Sequence, residues 1–331
     1  MILKGYKKLS FFASIDNHNS EKNSIVTNMV QKRGLYKYGT KLLLEQICKK
    51  RQCAGLFILQ RNTKKTKTKS ERKQKTTDRR NVGAILAIDT IRGIVLKEMP
   101  KGETSKQVIV LAKGLGKIWM TAKGARKQKS KLLAGTQMFC YCDFQAYESR
   151  GFYTISQADV IESFFDLRLD MDRLASAIYA ADFAERIALR GMEQDSMLLL
   201  LLKTFQILSK KGYSPLLASR IFELKLIQIA GIMPNMTEKC SVCGKRASAY
   251  FSGAAGGMVC MEHRSGSKKI ADGTKNAMRF VFSQPLSNAF QFSVSSEVLK
   301  ELDEILEQYI QIHMNLKLGT RDFEKKYKQL L

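Results

Sequence analysis

Acidic residues are scarce in this sequence: 30 Asp and Glu stand against 56 Lys and Arg, for a formal net charge of +26. An imbalance of that size calls for an acidic partner, whether nucleic acid, an anionic membrane surface or an acidic protein tail. Histidine is rarer still, at three residues. His263 lies in a metal-type pattern, which leaves His18 and His313 for any acid–base chemistry, and both are expected on the solvated surface. Long apolar runs are also missing. The longest is Met197–Leu202, far short of the roughly 20 residues a membrane span needs. A soluble, cytoplasmic chain without a membrane partner is expected. There is no G-x-S-x-G, and Gly114–Trp119 lacks both the Ser or Thr and the upstream Gly of a phosphate loop. No catalytic residue is expected, and no enzyme.

The sequence holds only seven cysteines, and three of them lie with His263 in the stretch CSVCGKRASAYFSGAAGGMVCMEH, residues 240–263. The spacing is C-x2-C, then sixteen residues, then C-x2-H. A two-residue gap lets a tight turn aim both members of a pair at one ion, and Gly244, Gly256 and Gly257 supply the bends. Cys240, Cys243, Cys260 and His263 would fill all four positions of a tetrahedral zinc, so one structural Zn2+ is expected, with no open position for catalysis. Two disulfides or scattered free thiols are the alternatives, and disulfides would need an oxidising compartment that no secretory signal announces. A zinc deaminase is excluded, because Lys239 stands where Pro is required and no H-x-E occurs.

The charge is uneven along the chain. Residues 1–85 carry 21 Lys and Arg against 5 Asp and Glu, net +16. Within them Arg61–Arg80 has no apolar residue, so residues 1–84 read as a basic, disordered extension, with one short helix around Leu42, Leu43 and Ile47. From residue 85 the texture turns to five short runs of strand character: IRGIVLK, QVIVLA, KIWMTAK, TQMFCYCDFQAYE and GFYTISQ. In the fourth, Met138, Cys140, Cys142, Phe144 and Ala146 share one face, and Phe139, Tyr141, Asp143 and Gln145 the other. Five such strands in residues 85–160 suit an OB-fold β-barrel.

Past Ala158 the period becomes helical. Leu167, Met171, Leu174, Ile178 and Ala181 form one stripe. Asp195 is placed to cap a second helix, and Ser214-Pro215 to start a third that Gly231 stops. A last helix spans Ser296 to about His313. The expected fold is therefore α+β: an OB barrel, then a helical domain over 161–331 with a zinc module inserted at 236–268.

Lys106, Lys113, Lys117, Lys123, Arg126, Lys127, Lys129 and Lys131 fall within 26 residues that hold no acid. On a small barrel they would line a groove for nucleic acid, with Trp119, Phe139, Tyr141 and Tyr147 near enough to stack on bases. Trp119 has two readings, as a stacking ring or as barrel core.

The segment GIVLKEMPKGETSKQVIVLAKGLGKIWMTAKGARKQKSKL resembles the N-terminal barrel of the RecO family of bacterial recombinational repair proteins. The likeness runs on through GFYTISQADVIESFFDLRLDMDRLASAIYAADFAERI and through RIFELKLIQIAGIMP, and covers residues 86–331. It implies an OB-fold, a helical bundle and a zinc module. It also implies a mediator that binds single- and double-stranded DNA and anneals complementary strands. Such a mediator acts with RecR on DNA coated by single-strand binding protein, through that protein's C-terminal tail, so that RecA can load. Carried over, the family's basic loop falls on Lys123, Arg126, Lys127 and Lys131, and its metal ligands on the four residues above; His263 replaces a Cys frequent in relatives. A zinc-dependent enzyme acting on nucleic acid is the alternative. Residues 1–84 have no counterpart in the family pattern; a start codon assigned too early is expected, with a DNA-binding basic arm as the other explanation.

Overall fold

The computed structural model describes residues 88–327, other than Arg150 and Ser248. The basic extension, its short helix and His18 lie outside the described residues.

Alternating apolar and polar side chains build five strands: β1 (Ile88–Lys101), β2 (Ser105–Ala112), β3 (Gly116–Ala122), β4 (Tyr141–Ser149) and β5 (Phe152–Glu162). They close a barrel in the order β1-β2-β3-β5-β4, with β3 and β5 parallel and the other pairs antiparallel. A five-stranded barrel of this kind is consistent with an OB-fold. A bulge between Val95 and Lys97 bends β1, so its first half pairs with β4 and its second with β2. Val95, Val110, Ile118, Met120, Cys142, Phe144 and Ile155 fill the interior, joined by Ala125, Leu132 and Cys140 from the long β3–β4 connection.

The fourth strand begins later than its sequence suggests. Phe139 adopts φ 73°, a left-handed conformation, and its N–H and the carbonyl of Cys140 both bond Val95, at 2.8 and 2.9 Å. Phe139, expected on the outer face as a surface for bases, stays outside the barrel core but is buried against the helical half, where its ring meets Phe205 edge-on at 5.2 Å.

The helical half comprises α1 (Met171–Ile187), α2 (Asp195–Leu208), α3 (Pro215–Ile229), α4 (Asp272–Ser283), α5 (Ser296–Met314) and α6 (Gly319–Tyr327). Ser214 caps α3 by accepting from the N–H of Leu217, with Pro215 in the first turn, and Gly231 (φ 72°) follows its end. Two expectations need correction. Met171 is 43% exposed and Leu174 and Ile178 are half-buried, because α1 instead buries Ala175, Tyr179, Ala180 and Phe183. Leu167 is buried, but in a 3-10 turn before the helix. Asp195 caps nothing: Gln194 is the N-cap, and the Asp195 carboxylate accepts from the N–H of Gly114 at 2.7 Å.

That last bond is one of several between the barrel and the helices. The N–H of Lys117 donates to Leu189 O (3.0 Å), and its ammonium donates to Glu185 O (2.6 Å) and lies 3.3 Å from the Glu185 carboxylate. Arg190 donates to Gly151 O at 2.8 Å. Gly116, at φ 66°, abuts this loop so closely that a Cβ there would meet Met192 O at 2.1 Å.

At the centre of the helical half sits a buried ionic network. Arg220 pairs with Asp303 and Glu324, and Arg321 with Glu223 and Asp303; Tyr179 donates to Glu223, and Ser176 and Ser219 both donate to Glu324. It joins α1, α3, α5 and α6.

Candidate functional site

Between α3 and α4 the chain makes a small three-stranded sheet, β7-β6-β8, from β6 (Tyr250–Ser252), β7 (Gly257–Val259) and β8 (Lys268–Lys269). The sheet buries Phe251, Met258 and Val259, with Phe251 against Tyr309 of α5, and is otherwise shaped by turns. The Cys240 N–H donates to Lys245 O (2.7 Å), and the Gly244 N–H donates back to Cys240 O (2.9 Å), folding the C-x2-C pair into a tight loop. Gly257 is required where it stands, since a Cβ would strike Asn235 O at 2.3 Å. Opposite, a 3-10 turn over Met261–His263 folds Cys260 and His263 toward each other, with the His263 N–H donating to Cys260 O at 3.1 Å.

These turns bring four ligand atoms together, all within 4.8 Å of one another. His263 Nδ1 lies 3.3 Å from Cys260 Sγ and 3.9 Å from Cys240 Sγ, and Cys243 Sγ lies 3.7 Å from Cys260 Sγ. A tetrahedral ion bonded at about 2.3 Å to sulfur and about 2.0 Å to nitrogen sets its ligand atoms roughly 3.5–3.8 Å apart, so the cluster is sized for one ion. Burial pushes the Cys240 and Cys260 thiols up, but facing backbone N–H groups outweigh it and hold both below the ordinary thiol value. The N–H of Lys245 pulls Cys243 down, yet burial and the two neighbouring sulfurs leave it raised. Protons crowded among three adjacent sulfurs are what a cation would displace. Cys140 and Cys142 play no part: both are buried in the barrel, where burial raises their thiols, Cys142 to about 12.

His313 was expected in solvent, and no local motif marked its partner. It is half-buried, with Nε2 2.7 Å from Gly253 O and its ring 4.1 Å from that of Tyr309, so α5 grips the small sheet.

The basic residues of the barrel fall into two groups. Lys113, Lys123, Arg126, Lys127, Lys129 and Lys131 are exposed on the β2–β3 turn and the β3–β4 connection. Lys106 and Lys117 are half-buried and already paired, the first with Glu98 at 2.5 Å and the second with Glu185. Trp119 stands on the outer face of β3, half-buried, because its neighbours Ile118 and Met120 take the interior positions. Its ring has the Lys117 ammonium and the Arg190 guanidinium each 5.5 Å from its centroid. Tyr141 and Tyr147 are half-buried on the outer face of β4. Arg190, Glu185 and Asp195, which complete this face from the helical side, carry no local motif.

The family model described as recombination protein O N terminal matches residues 88–164, and the one described as recombination protein O C terminal matches residues 168–322. The chain belongs to the RecO family. Among its relatives, the DNA repair protein RecO of Acetivibrio thermocellus is 36% identical over 238 residues, covering 70% of this chain and 94% of the relative. Those of Alkaliphilus metalliredigens and Clostridium novyi are 33% and 32% identical, covering 67% and 68% of this chain and 92% and 89% of theirs. The two RecO matches meet where β5 ends and α1 approaches. The Cys and His cluster falls inside the C-terminal one.

Proposed function

We propose that this RecO-family chain is a cytoplasmic DNA repair and recombination mediator without catalytic turnover. In this reading it binds single- and double-stranded DNA and anneals strands. With RecR it acts on DNA coated by single-strand binding protein, so that RecA can load. The observation that carries the reading is the exposed set Lys123, Arg126, Lys127, Lys129 and Lys131 on the acid-free β3–β4 connection of a closed five-stranded barrel, with Lys113 at the other end of β3. Such a basic loop meets phosphates, and a barrel face supplies the platform on which a strand lies. Lys106 and Lys117 contribute less, since each is held by a carboxylate. Domain limits of 85–160 for the barrel and 161–331 for the helical part, with the module at 236–268, belong to the same proposal.

Neutralising Lys123, Arg126 and Lys127 together is expected to weaken DNA binding for all sequences alike. It should also flatten the dependence of log affinity on log salt by about two to three units, one per lost phosphate contact. An unchanged salt slope would place the DNA elsewhere.

Cys240, Cys243, Cys260 and His263 would hold one Zn2+, whose role is to close the module. Four protein ligands leave no position for water, which favours a structural ion over the zinc-enzyme alternative. Cys260→Ser is expected to release about one equivalent of zinc and lower the melting temperature, while annealing by the protein that remains folded falls modestly. Elemental analysis finding no zinc after metal-replete expression would refute the assignment.

A further inference from the structure

We propose that the end of β5 and the turn after it form a docking surface for an extended peptide that alternates apolar and basic side chains. β5 pairs with β3 only over Tyr153–Ile155, yet runs on to Glu162 with β4 alone beside it. Gly135 covers the strand near Ala158, where a Cβ on that glycine would come within 2.7 Å. From Asp159 to Glu162 the strand is exposed, and among the described residues its backbone makes no hydrogen bond beyond the sheet. An unpaired edge of this kind is a template for an added strand.

The side chains around it are of an unusual mix. Val160, Ile161, Phe165, Leu169 and Met171 are 43%, 49%, 57%, 69% and 43% exposed. Five large apolar groups exposed between residues 160 and 171, with Val160 and Ile161 on opposite faces of the strand, mark an interaction site more often than scattered single residues do. The charge selects the partner. Residues 159–173 hold five Asp and Glu against two Arg, in a chain whose net charge is +26. Both arginines are engaged, Arg168 with Ser163 O and Met138 O and Arg173 with Asp170. The surface is thus apolar with an acidic rim, opposite in sign to the DNA-facing rim of the barrel. It fits a protein segment carrying Lys or Arg between its apolar anchors, and rejects nucleic acid.

The test uses the full chain and two labelled nine-residue peptides, one alternating lysine with valine and the other glutamate with valine, followed by fluorescence anisotropy. The lysine peptide is expected to bind and to slow amide exchange at residues 159–162. Phe165→Ser with Leu169→Ser, and separately Asp159→Lys with Asp166→Lys, are expected to weaken it at least tenfold, the serine pair without altering DNA affinity. The charge-reversal pair leaves the apolar groups in place, so its result stands if the serine pair unfolds. Equal or tighter binding of the glutamate peptide would mean that net charge alone decides, and would overturn the proposal. So would lysine-peptide binding indifferent to both variants, or no binding at all. A concentration-dependent dimer abolished by the same variants would assign the surface to a second copy and equally overturn it.

Discussion

In the barrel, Arg92 meets Asp143 across β1 and β4 at 2.7 Å with half of the arginine side chain in solvent; in the helical half, Arg220 meets Asp303 and Glu324 with none of it exposed. The same pairing chemistry serves two ends. Outside an apolar barrel, ion pairs are screened and tune a surface, whereas inside the helices they replace part of the hydrophobic core and must be matched group for group. The barrel is therefore tolerant of charge changes on its rim, which suits a surface that meets phosphates. The helical half is specified by a few residues far apart in sequence.

The largest expected effect follows from breaking the buried set. Arg220→Met would leave the buried Glu324 without its cation and Asp303 still paired with Arg321, and is expected to cost about 3–5 kcal/mol in denaturant unfolding. A loss no greater than that of a surface substitution would collapse the contrast between the halves.

A second effect is one of sign. Burial pushes the Glu223 carboxyl up, against the pull of Arg220 and Arg321, and its Oε2 has no partner among the described residues. A proton there leaves two arginines balanced by Asp303 and Glu324. A carboxyl raised on folding stabilises the fold below its ordinary value of 4.5, and that contribution is lost as pH rises through the folded value. Asp143 runs the other way: the Arg92 hydrogen bond lowers it from 3.8, so its contribution is present above 3.8 and lost as pH falls through the lowered value. Unfolding midpoints measured across pH should show Glu223→Gln removing a decline on the alkaline side of 4.5, and Asp143→Asn removing one on the acid side of 3.8. Matching signs would refute this assignment of protons.

The smallest effect belongs to the barrel surface, where Arg92→Ala is expected to cost no more than about 1 kcal/mol at neutral pH, by loss of its screened pairing with Asp143. A loss like that of Arg220→Met would show that the outer face of the barrel is more tightly coupled than its exposure implies.

The same contrast governs what could be read from the sequence. Strand alternation announced the inward row Cys142, Phe144 and Ala146, because a barrel has one inside and one outside. It placed Cys140 correctly as well, but could not show that Phe139, on the other face, is buried against Phe205 of the helical half. Ser214-Pro215 marked a helix start because the cap is local. By contrast α4 gave no signal, since the N–H of Ala271 at its start is satisfied by Glu301 from α5, and α6 gave none, since Arg321 and Glu324 bind groups on α1 and α3 that lie 98 to 148 residues away. The stripe on α1 was misplaced because that helix is enclosed on several sides and uses alanines, which carry no period of their own. The four metal-type ligands were legible because their spacing is short. Arg190, Glu185 and Asp195 were not, since each acts across the boundary between strand and helix.

Gly116 sets a mechanical condition on all of this. With no room for even a methyl group between β3 and the carbonyl of Met192, strand and loop touch backbone to backbone, without a side chain that could swing or compress. On the proposed reading, a pull on a strand held by the barrel would pass into the helices as through a stiff joint.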